Sequence, residues 1–376
     1  MKMSFQGNRL ELNDGAGFQH VYSALWLREM SFSPDFRDEK TGHKLGDGDL
    51  LPVDIEITSL APEGGQVAMT FSDGHSCEFA IDWLVDAVNN PTLAALEGNK
   101  ELWDATLDPL PWHDLEELQA DPAAVRDGLN AVARLGFMLV RNIPIELDGM
   151  QEFIDLIGYL RVTNNGAIQD IRAVPPAEAY DLSMTPRALE PHTDNPYRNP
   201  QPGYVLLHCL ESADDGGESG LTDGFRAAEE LRKESPELFD ALVETPVNWF
   251  YRDDQAILED SSAFIDVTRA GAVEHVRFHG RSDRVNAVDA DQLDRFYAAR
   301  RRFIQLVTSD ELELRFKLQP GEMFLLDNYR LIHSRKSFTL KTGARHMRQA
   351  YIDRDVVSSR QKTLLRDLSA KPWRAR

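Results

Sequence analysis

Apolar and polar residues change rhythm several times along this chain, and each rhythm predicts an element. In Val53-Asp54-Ile55-Glu56-Ile57 and Val67-Ala68-Met69-Thr70-Phe71 the period is two. The turn Pro62-Glu63-Gly64-Gly65 lies between them, and Ser72-Asp73-Gly74 precedes Cys77-Glu78-Phe79 and Ile81. This pattern predicts a β-meander and makes residues 1–97 a small β-rich N-terminal domain. The next stretch holds Trp103, Trp112 and the breakers Pro109 and Pro111, and reads as a linker over 98–115. Over 122–135 the period becomes helical: Val125, Leu129 and Val132 share a face, and Gly136 supplies the stop. An apolar run of strand length covers 137–140, and a second amphipathic helix covers 150–160.

From Gly203 onward strands dominate. Tyr204-Val205-Leu206-Leu207-His208-Cys209-Leu210 has the composition of a buried strand. Helical pieces near 227–233 and 289–307 form a long insert. Then Leu312, Leu314, Phe316 and Leu318 alternate with polar residues, and Pro320-Gly321 turns the chain into Met323-Phe324-Leu325-Leu326. Strands separated by long insertions fit a double-stranded β-helix, or jelly roll, over 116–376. The expected fold is mainly β with flanking helices: a jelly-roll catalytic domain plus the small β-rich domain.

Composition narrows the function. The 376 residues suffice for a large core and two domains. A hydrophobic content of 42%, a charged content of 27% and a mean hydropathy of −0.40 describe an ordinary globular protein. No apolar run reaches membrane-spanning length, and the N-terminus lacks the apolar segment of a secretory signal. Cys77 and Cys209 do not suggest a disulfide framework, so a reducing cytoplasm is expected. The net charge of −21, from 41 basic and 62 acidic residues, argues against nucleic acid or an anionic membrane as partner.

The chemistry is carried by two short segments. Glu190-Pro191-His192-Thr193-Asp194-Asn195 contains a His-x-Asp pair, whose side chains share one side of an extended segment. Downstream, Asp327-Asn328-Tyr329-Arg330-Leu331-Ile332-His333 supplies a second histidine, expected at the end of a strand. Two imidazoles and one carboxylate make the facial triad of non-haem Fe(II) oxygenases, with positions left open for cosubstrate and O₂. A lone His-x-Asp is common by chance, but further features fall in order. Arg345 lies 12 residues after His333, and its fork suits the far carboxylate of 2-oxoglutarate. Ser219, in Gly216-Gly217-Glu218-Ser219, can donate a hydroxyl to the same group.

These runs, with Pro196-Tyr197-Arg198, Pro202-Gly203-Tyr204, Asp223-Gly224-Phe225 and Arg345-His346-Met347-Arg348-Gln349-Ala350-Tyr351-Ile352-Asp353, resemble the γ-butyrobetaine hydroxylases of the taurine-dioxygenase-like clan. Leu25-Trp26-Leu27-Arg28-Glu29 and Asp82-Trp83-Leu84 resemble that family's N-terminal domain, so the likeness covers nearly the whole chain. The resemblance implies hydroxylation of a small molecule coupled to decarboxylation of 2-oxoglutarate, with Fe(II) on His192, Asp194 and His333. Arg345 and Ser219 would anchor the cosubstrate. A homodimer is implied by the resemblance alone.

Two departures from the family stand out. Its N-terminal domain holds zinc with three cysteines and a histidine. Here the matching positions are Ser31, Ser33 and Phe36, leaving His75, so no structural zinc is expected. Phe32 and Phe36 would pack in its place, and His75 would be a turn residue on the surface. In the substrate pocket the family cages a quaternary ammonium with aromatic rings. Tyr351 matches one of these, but Met184 stands where another is expected, and the segment around Asn164 and Asn165 lacks two more. Tyr180, Tyr197, Trp249, Phe250 and Tyr251 are possible replacements. Asn165, Asn195, Arg198 and Arg281, with Asn164, Arg172 and Arg187, are candidate donors to an anionic group. One relative in this family hydroxylates 2-(trimethylammonio)ethylphosphonate, a phosphonate analogue of γ-butyrobetaine, and the changed cage favours that substrate. γ-Butyrobetaine itself, a sulfonate or unmethylated aminophosphonate, and a non-catalytic jelly-roll binding role are the alternatives.

Overall fold

The computed structural model describes all residues except 47–49, 90–99, 174–184, 287, 340–344 and 366–376. The chain divides into two compact units, Met1–Ala95 and Leu96–Leu365.

In the first unit Lys2–Gln6, Arg9–Asn13 and Gln19–Ser23 form one antiparallel sheet, and Ile57–Glu63, Gln66–Phe71 and Ser76–Ala80 form another. The meander is present, but its first strand lies further along than the alternation at 53–57 suggests. The cause is the two-residue turn at Gly64 and Gly65, both at positive φ (57° and 82°), which pairs Glu63 with Gln66 and fixes the register backwards from there. Pro62 is tolerated because Ile57–Glu63 is an edge strand. Ile81 opens a helix, Ile81–Asn89, rather than extending the meander. Leu10, Leu12, Val67, Phe79 and Leu84 meet in one core.

The positions expected to lack zinc hold a hydrogen-bonded node instead. The Ser31 hydroxyl lies 2.7 Å from His75 Nε2. Arg28 pairs with Asp73 at 2.7 Å, and its guanidinium lies 4.6 Å from the Phe36 ring centre. Phe32 packs edge-on against Trp83 at 5.0 Å. Burial pushes the nearby Cys77 thiol up to about 11, so it stays protonated. One imidazole, hydroxyls and a protonated thiol do not make a tetrahedral zinc site. His75 is not the surface residue expected from its turn: its side chain is only 9% exposed, because Ser31 holds it inward.

In the second unit a six-stranded sheet runs in the order Trp112–Asp114, Phe137–Arg141, Met323–Asp327, Tyr204–Glu211, His346–Ile352, Ile168–Arg172. A four-stranded sheet runs Leu189–His192, Leu331–Arg335, Ser219–Asp223, Glu313–Phe316. All these neighbours are antiparallel except the first pair of the larger sheet. Leu139, Val205, Phe324 and Met347 of the larger sheet pack against Leu221, Leu314 and Leu331 of the smaller, which makes the jelly-roll interior. The larger sheet's other face, with Leu206, Met323 and Ala350, is covered by the helices Pro122–Leu135 and Met150–Ile157. Being covered on both faces explains the unbroken apolar runs in its strands. The insert forms a third core around Trp249, Phe264, Phe296 and Phe303.

The described part of the stretch expected as a linker, from residue 100 onward, is packed into this unit. Trp103 is buried, donates its indole N–H to the Leu135 carbonyl at 2.6 Å and lies 5.5 Å from Phe137. Trp112–Asp114 adds a strand to the larger sheet. Two large indoles bury too much apolar surface to hang on a free tether.

Candidate active site

His192 closes the strand Leu189–His192, and its cross-strand partner is His333. His333 therefore sits in the middle of Leu331–Arg335, not at a strand end as the sequence suggested. Pairing the two strands brings residues 141 positions apart to ring centres 4.3 Å apart. Asp194 follows two residues after His192, and its Oδ1 lies 3.4 Å from His192 Nε2 and 3.7 Å from His333 Nε2. Among the described residues these three side chains are the group able to share an ion, their ligand atoms within 4.8 Å of one another. His192 Nδ1 lies 2.8 Å from the Glu190 carbonyl, so donating there leaves Nε2 as the lone pair for a metal.

Asp194 is held at backbone and side chain. Its N–H donates to Asn328 Oδ1 at 2.7 Å, and its carbonyl accepts from Asn328 Nδ2 at 2.9 Å and Gln201 Nε2 at 3.0 Å. Its Oδ2 accepts from Gln349 Nε2 at 2.7 Å and the Tyr351 hydroxyl at 3.1 Å. Asn195 then turns the chain at φ 52°, a left-handed conformation that asparagine tolerates. Burial drives the His333 imidazole down to about 3, and His192 adds to the shift. Burial raises the Asp194 carboxyl, but the charge of His333 and the hydrogen bond and charge of His192 outweigh it, leaving the carboxyl well below its usual range. At neutral pH His333 is thus neutral and Asp194 ionised, the states metal binding requires.

One pocket opens over the triad. Ser219, Arg345, Leu207, Ile171 and Phe324 line one part of it. Arg345 is buried and, among the described residues, forms no ion pair with a carboxylate. Desolvation brings its guanidinium down to about 10, still protonated at neutral pH. A buried cation lacking an internal counter-charge fits an anionic ligand. Gly216, at φ 75°, is required here: a Cβ would stand 2.2 Å from the Ser337 carbonyl. A 2-oxoglutarate carboxylate therefore fits the Arg345–Ser219 side, and Fe(II) fits the triad.

Tyr197, Tyr251, Asn165, Asn195, His279 and Arg281 line another part of the pocket. Tyr197 and Tyr251 stack with ring centres 5.0 Å apart at 21°. Tyr251 donates its hydroxyl to Asp253 at 2.8 Å, and Tyr197 to Asn195 Oδ1 at 2.6 Å. Arg281 is exposed, and its guanidinium lies 3.4 Å from His279 Nε2. Burial brings His279 down to about 3, with His192 next in effect, so it is neutral.

Several candidates are placed differently from expectation. Arg198 is not part of the lining; its guanidinium binds Asn164. Asn164, Arg172 and Arg187 are likewise absent from the lining. Trp249 is fully buried in the insert's core, and Arg284 covers Phe250 at 3.6 Å. Tyr351 lines the pocket, but its hydroxyl is committed to Asp194. Met184 and Tyr180 lie outside the described residues. Gln349 and His279 were missed: His279 belongs to none of the quoted runs, and Gln349 stands in the run from Arg345 to Asp353 without a task assigned to it, so the inward alternation from Arg345 to Tyr351 is the signal that could have pointed to it.

The family model described as "Taurine catabolism dioxygenase TauD, TfdA family" matches residues 101–351, which contain the triad, Ser219 and Arg345. The chain belongs to the TauD/TfdA dioxygenase family. Residues 1–85 match the N-terminal domain model of γ-butyrobetaine hydroxylase-like proteins. The chain is 30% identical to the γ-butyrobetaine dioxygenase of Pseudomonas sp. (strain AK-1), covering 91% of this chain and 90% of that one. It is 28% identical to the human γ-butyrobetaine dioxygenase, over 92% of each, and 26% identical to the mitochondrial trimethyllysine dioxygenase of Rattus norvegicus, over 91% and 82%. The solved structure of AAD-2 with Mn(II) and N-oxalylglycine shares the fold, with a TM-score of 0.51 and 14% identity over 67% of this chain and 97% of that one. This TauD/TfdA member is an Fe(II)- and 2-oxoglutarate-dependent dioxygenase. Among the described residues no helix is long and apolar enough to cross a membrane.

Proposed function

We propose that this dioxygenase hydroxylates a small zwitterion with a quaternary ammonium at one end and a phosphonate at the other, 2-(trimethylammonio)ethylphosphonate being the best fit. In this reading His192, Asp194 and His333 hold Fe(II), and Arg345 with Ser219 holds the far carboxylate of 2-oxoglutarate. When bound, the metal and cosubstrate supply the oxidant that inserts one oxygen of O₂ into a C–H bond, with succinate and CO₂ as coproducts. The protein orients the C–H bond, excludes water and grips both ends of the substrate.

The observation that carries the reading is the mixed lining of rings and donors that shares the pocket with Arg345. A quaternary ammonium offers no N–H and is held by ring faces. Tyr197, Tyr251 and Tyr351 offer such rings, and the hydroxyl bond to Asp253 enriches the Tyr251 ring. A phosphonate has three oxygens and more charge than a carboxylate, and Arg281, Asn165 and Asn195 supply the donors. The relatives named for γ-butyrobetaine support that compound as the second reading. A primary-ammonium substrate is disfavoured: Asp170 lines the pocket, but Arg348 and His346 already engage it at 3.0 and 2.5 Å.

The test is a succinate-formation assay with Fe(II) and 2-oxoglutarate over matched betaines, phosphonates and sulfonates. The trimethylammonio-phosphonate should give the highest kcat/KM. Arg281→Gln should lower it by about 10- to 100-fold, since a hydrogen bond to a charged group is worth about 1.5–3 kcal/mol. A higher kcat/KM for γ-butyrobetaine, left unchanged by Arg281→Gln, would reject the phosphonate reading.

A further inference from the structure

The strand His346–Ile352 and the residue before it place Arg345, Met347, Gln349 and Tyr351 on the side chain alternation that faces the jelly-roll interior. The first of these faces the cosubstrate side and the last two reach Asp194. Among the described residues Gln349 makes no hydrogen bond to either histidine of the triad; its amide goes to Asp194 Oδ2 at 2.7 Å. Oδ1, the other oxygen, is the one that faces His192 and His333. The two oxygens of one carboxylate are thus divided between two tasks.

We propose that Gln349, assisted by Tyr351, is a positioning residue that occupies Asp194 Oδ2 and so keeps Asp194 a one-oxygen ligand. The inference rests on the reading of His192, Asp194 and His333 as the metal site. A carboxylate free to swing would offer both oxygens to the ion and take one of the positions that the cosubstrate and O₂ require. Two donors on Oδ2 remove that freedom. The backbone of Asp194 is already fixed by Asn328 and Gln201, so the carboxylate rotation is the freedom left to control. Gln349 suits the task because its amide is neutral: a lysine there would compete with the metal for the carboxylate charge.

The experiment compares the full-length parent with Gln349→Leu, Gln349→Met and Tyr351→Phe. Co(II) affinity is measured by calorimetry, and coordination number is followed by the intensity of the Co(II) ligand-field bands with and without 2-oxoglutarate. Melting curves confirm that each variant folds. The parent should bind one Co(II) per chain at the triad, and His192→Ala should bind none; failure here would reject the triad reading itself. Given that binding, Gln349→Leu and Gln349→Met should lose about 10- to 100-fold in Co(II) affinity, the range typical of outer-shell partners. Their Co(II) bands should change on removing the amide, and 2-oxoglutarate should bind the loaded variants more weakly. Tyr351→Phe should move the same readouts in the same direction by less, its bond being longer. Parent-like Co(II) affinity and bands in both Gln349 variants would overturn the proposal, and a raised substrate KM with unaltered bands would assign Gln349 to the substrate instead. If neither Gln349 variant folds, parent-like bands in Tyr351→Phe would count against the proposal.

Discussion

Replacing Arg345 with methionine tests the cosubstrate side of the pocket most directly. Arg345 is 6% exposed and, among the described residues, faces no carboxylate ion-pair partner, so its charge is compensated by what binds there. An arginine fork gives a carboxylate two parallel charge-assisted hydrogen bonds. At about 1.5–3 kcal/mol each, their loss amounts to about 3 kcal/mol at the least. That corresponds to roughly 150-fold weaker binding of 2-oxoglutarate. Without cosubstrate the same change removes a buried, uncompensated cation, so Arg345→Met should melt no lower than the parent. With saturating cosubstrate the parent should gain melting temperature and the variant should not. Calorimetric titration of 2-oxoglutarate into Mn(II)-loaded protein gives the affinity, and paired melts with and without cosubstrate give the stability. If Arg345→Met binds 2-oxoglutarate within tenfold of the parent, Arg345 is not its anchor.

Two further predictions concern stability. His208 is fully buried, both its ring nitrogens lack hydrogen-bond partners among the described residues, and burial, with Arg348 next, brings its pKa down to about 4. The unfolded chain, with an ordinary histidine near 6.5, binds the proton more tightly than the folded one. The folded state is therefore most favoured above 6.5 and loses stability as pH falls from 6.5 toward 4, by about 2 kcal/mol at pH 5 from this group. His208→Leu should flatten that part of the urea-midpoint profile and raise stability at neutral pH by about 1–3 kcal/mol; an unchanged profile would show the group is not buried neutral. Asp223 pairs with Arg330 at 2.8 Å, both almost completely buried, so Asp223→Asn should cost about 3–5 kcal/mol in urea unfolding.

The catalytic half of the molecule was more legible than the small unit, for physical reasons. Jelly-roll strands such as Tyr204–Glu211 are buried on both faces, so they stand out as apolar runs. The helix Pro122–Leu135 carries its own start and stop, an Asp121 cap and Gly136. In the small unit the alternating Arg9-Leu10-Glu11-Leu12-Asn13 signals a strand, and both leucines are buried; five residues between short turns are easily passed over. The metal ligands were readable because their types and order are restrictive. Tyr351 was located but its task was not, since a tyrosine offers a ring and a hydroxyl, and only the fold shows that the hydroxyl meets Asp194. Asn328, Gln201 and Gln349 act through amides, which occur everywhere in a sequence and betray nothing until a partner is seen.

The strand ending at Ile352 has an evolutionary reading. It carries Gln349 and Tyr351, and the four-stranded sheet carries His192, His333 and Ser219, whereas Tyr251, His279 and Arg281 come from the long insert and Asn165 from a separate loop. Under the proposed substrate reading, editing the insert and that loop changes Tyr251, Arg281 and Asn165, but Phe278 of the insert also exchanges two hydrogen bonds with Thr193, between His192 and Asp194, so an exchange has to keep that contact. Chimeras that transplant residues 247–285 between relatives of this fold are a natural route to moving preference from one zwitterion to another.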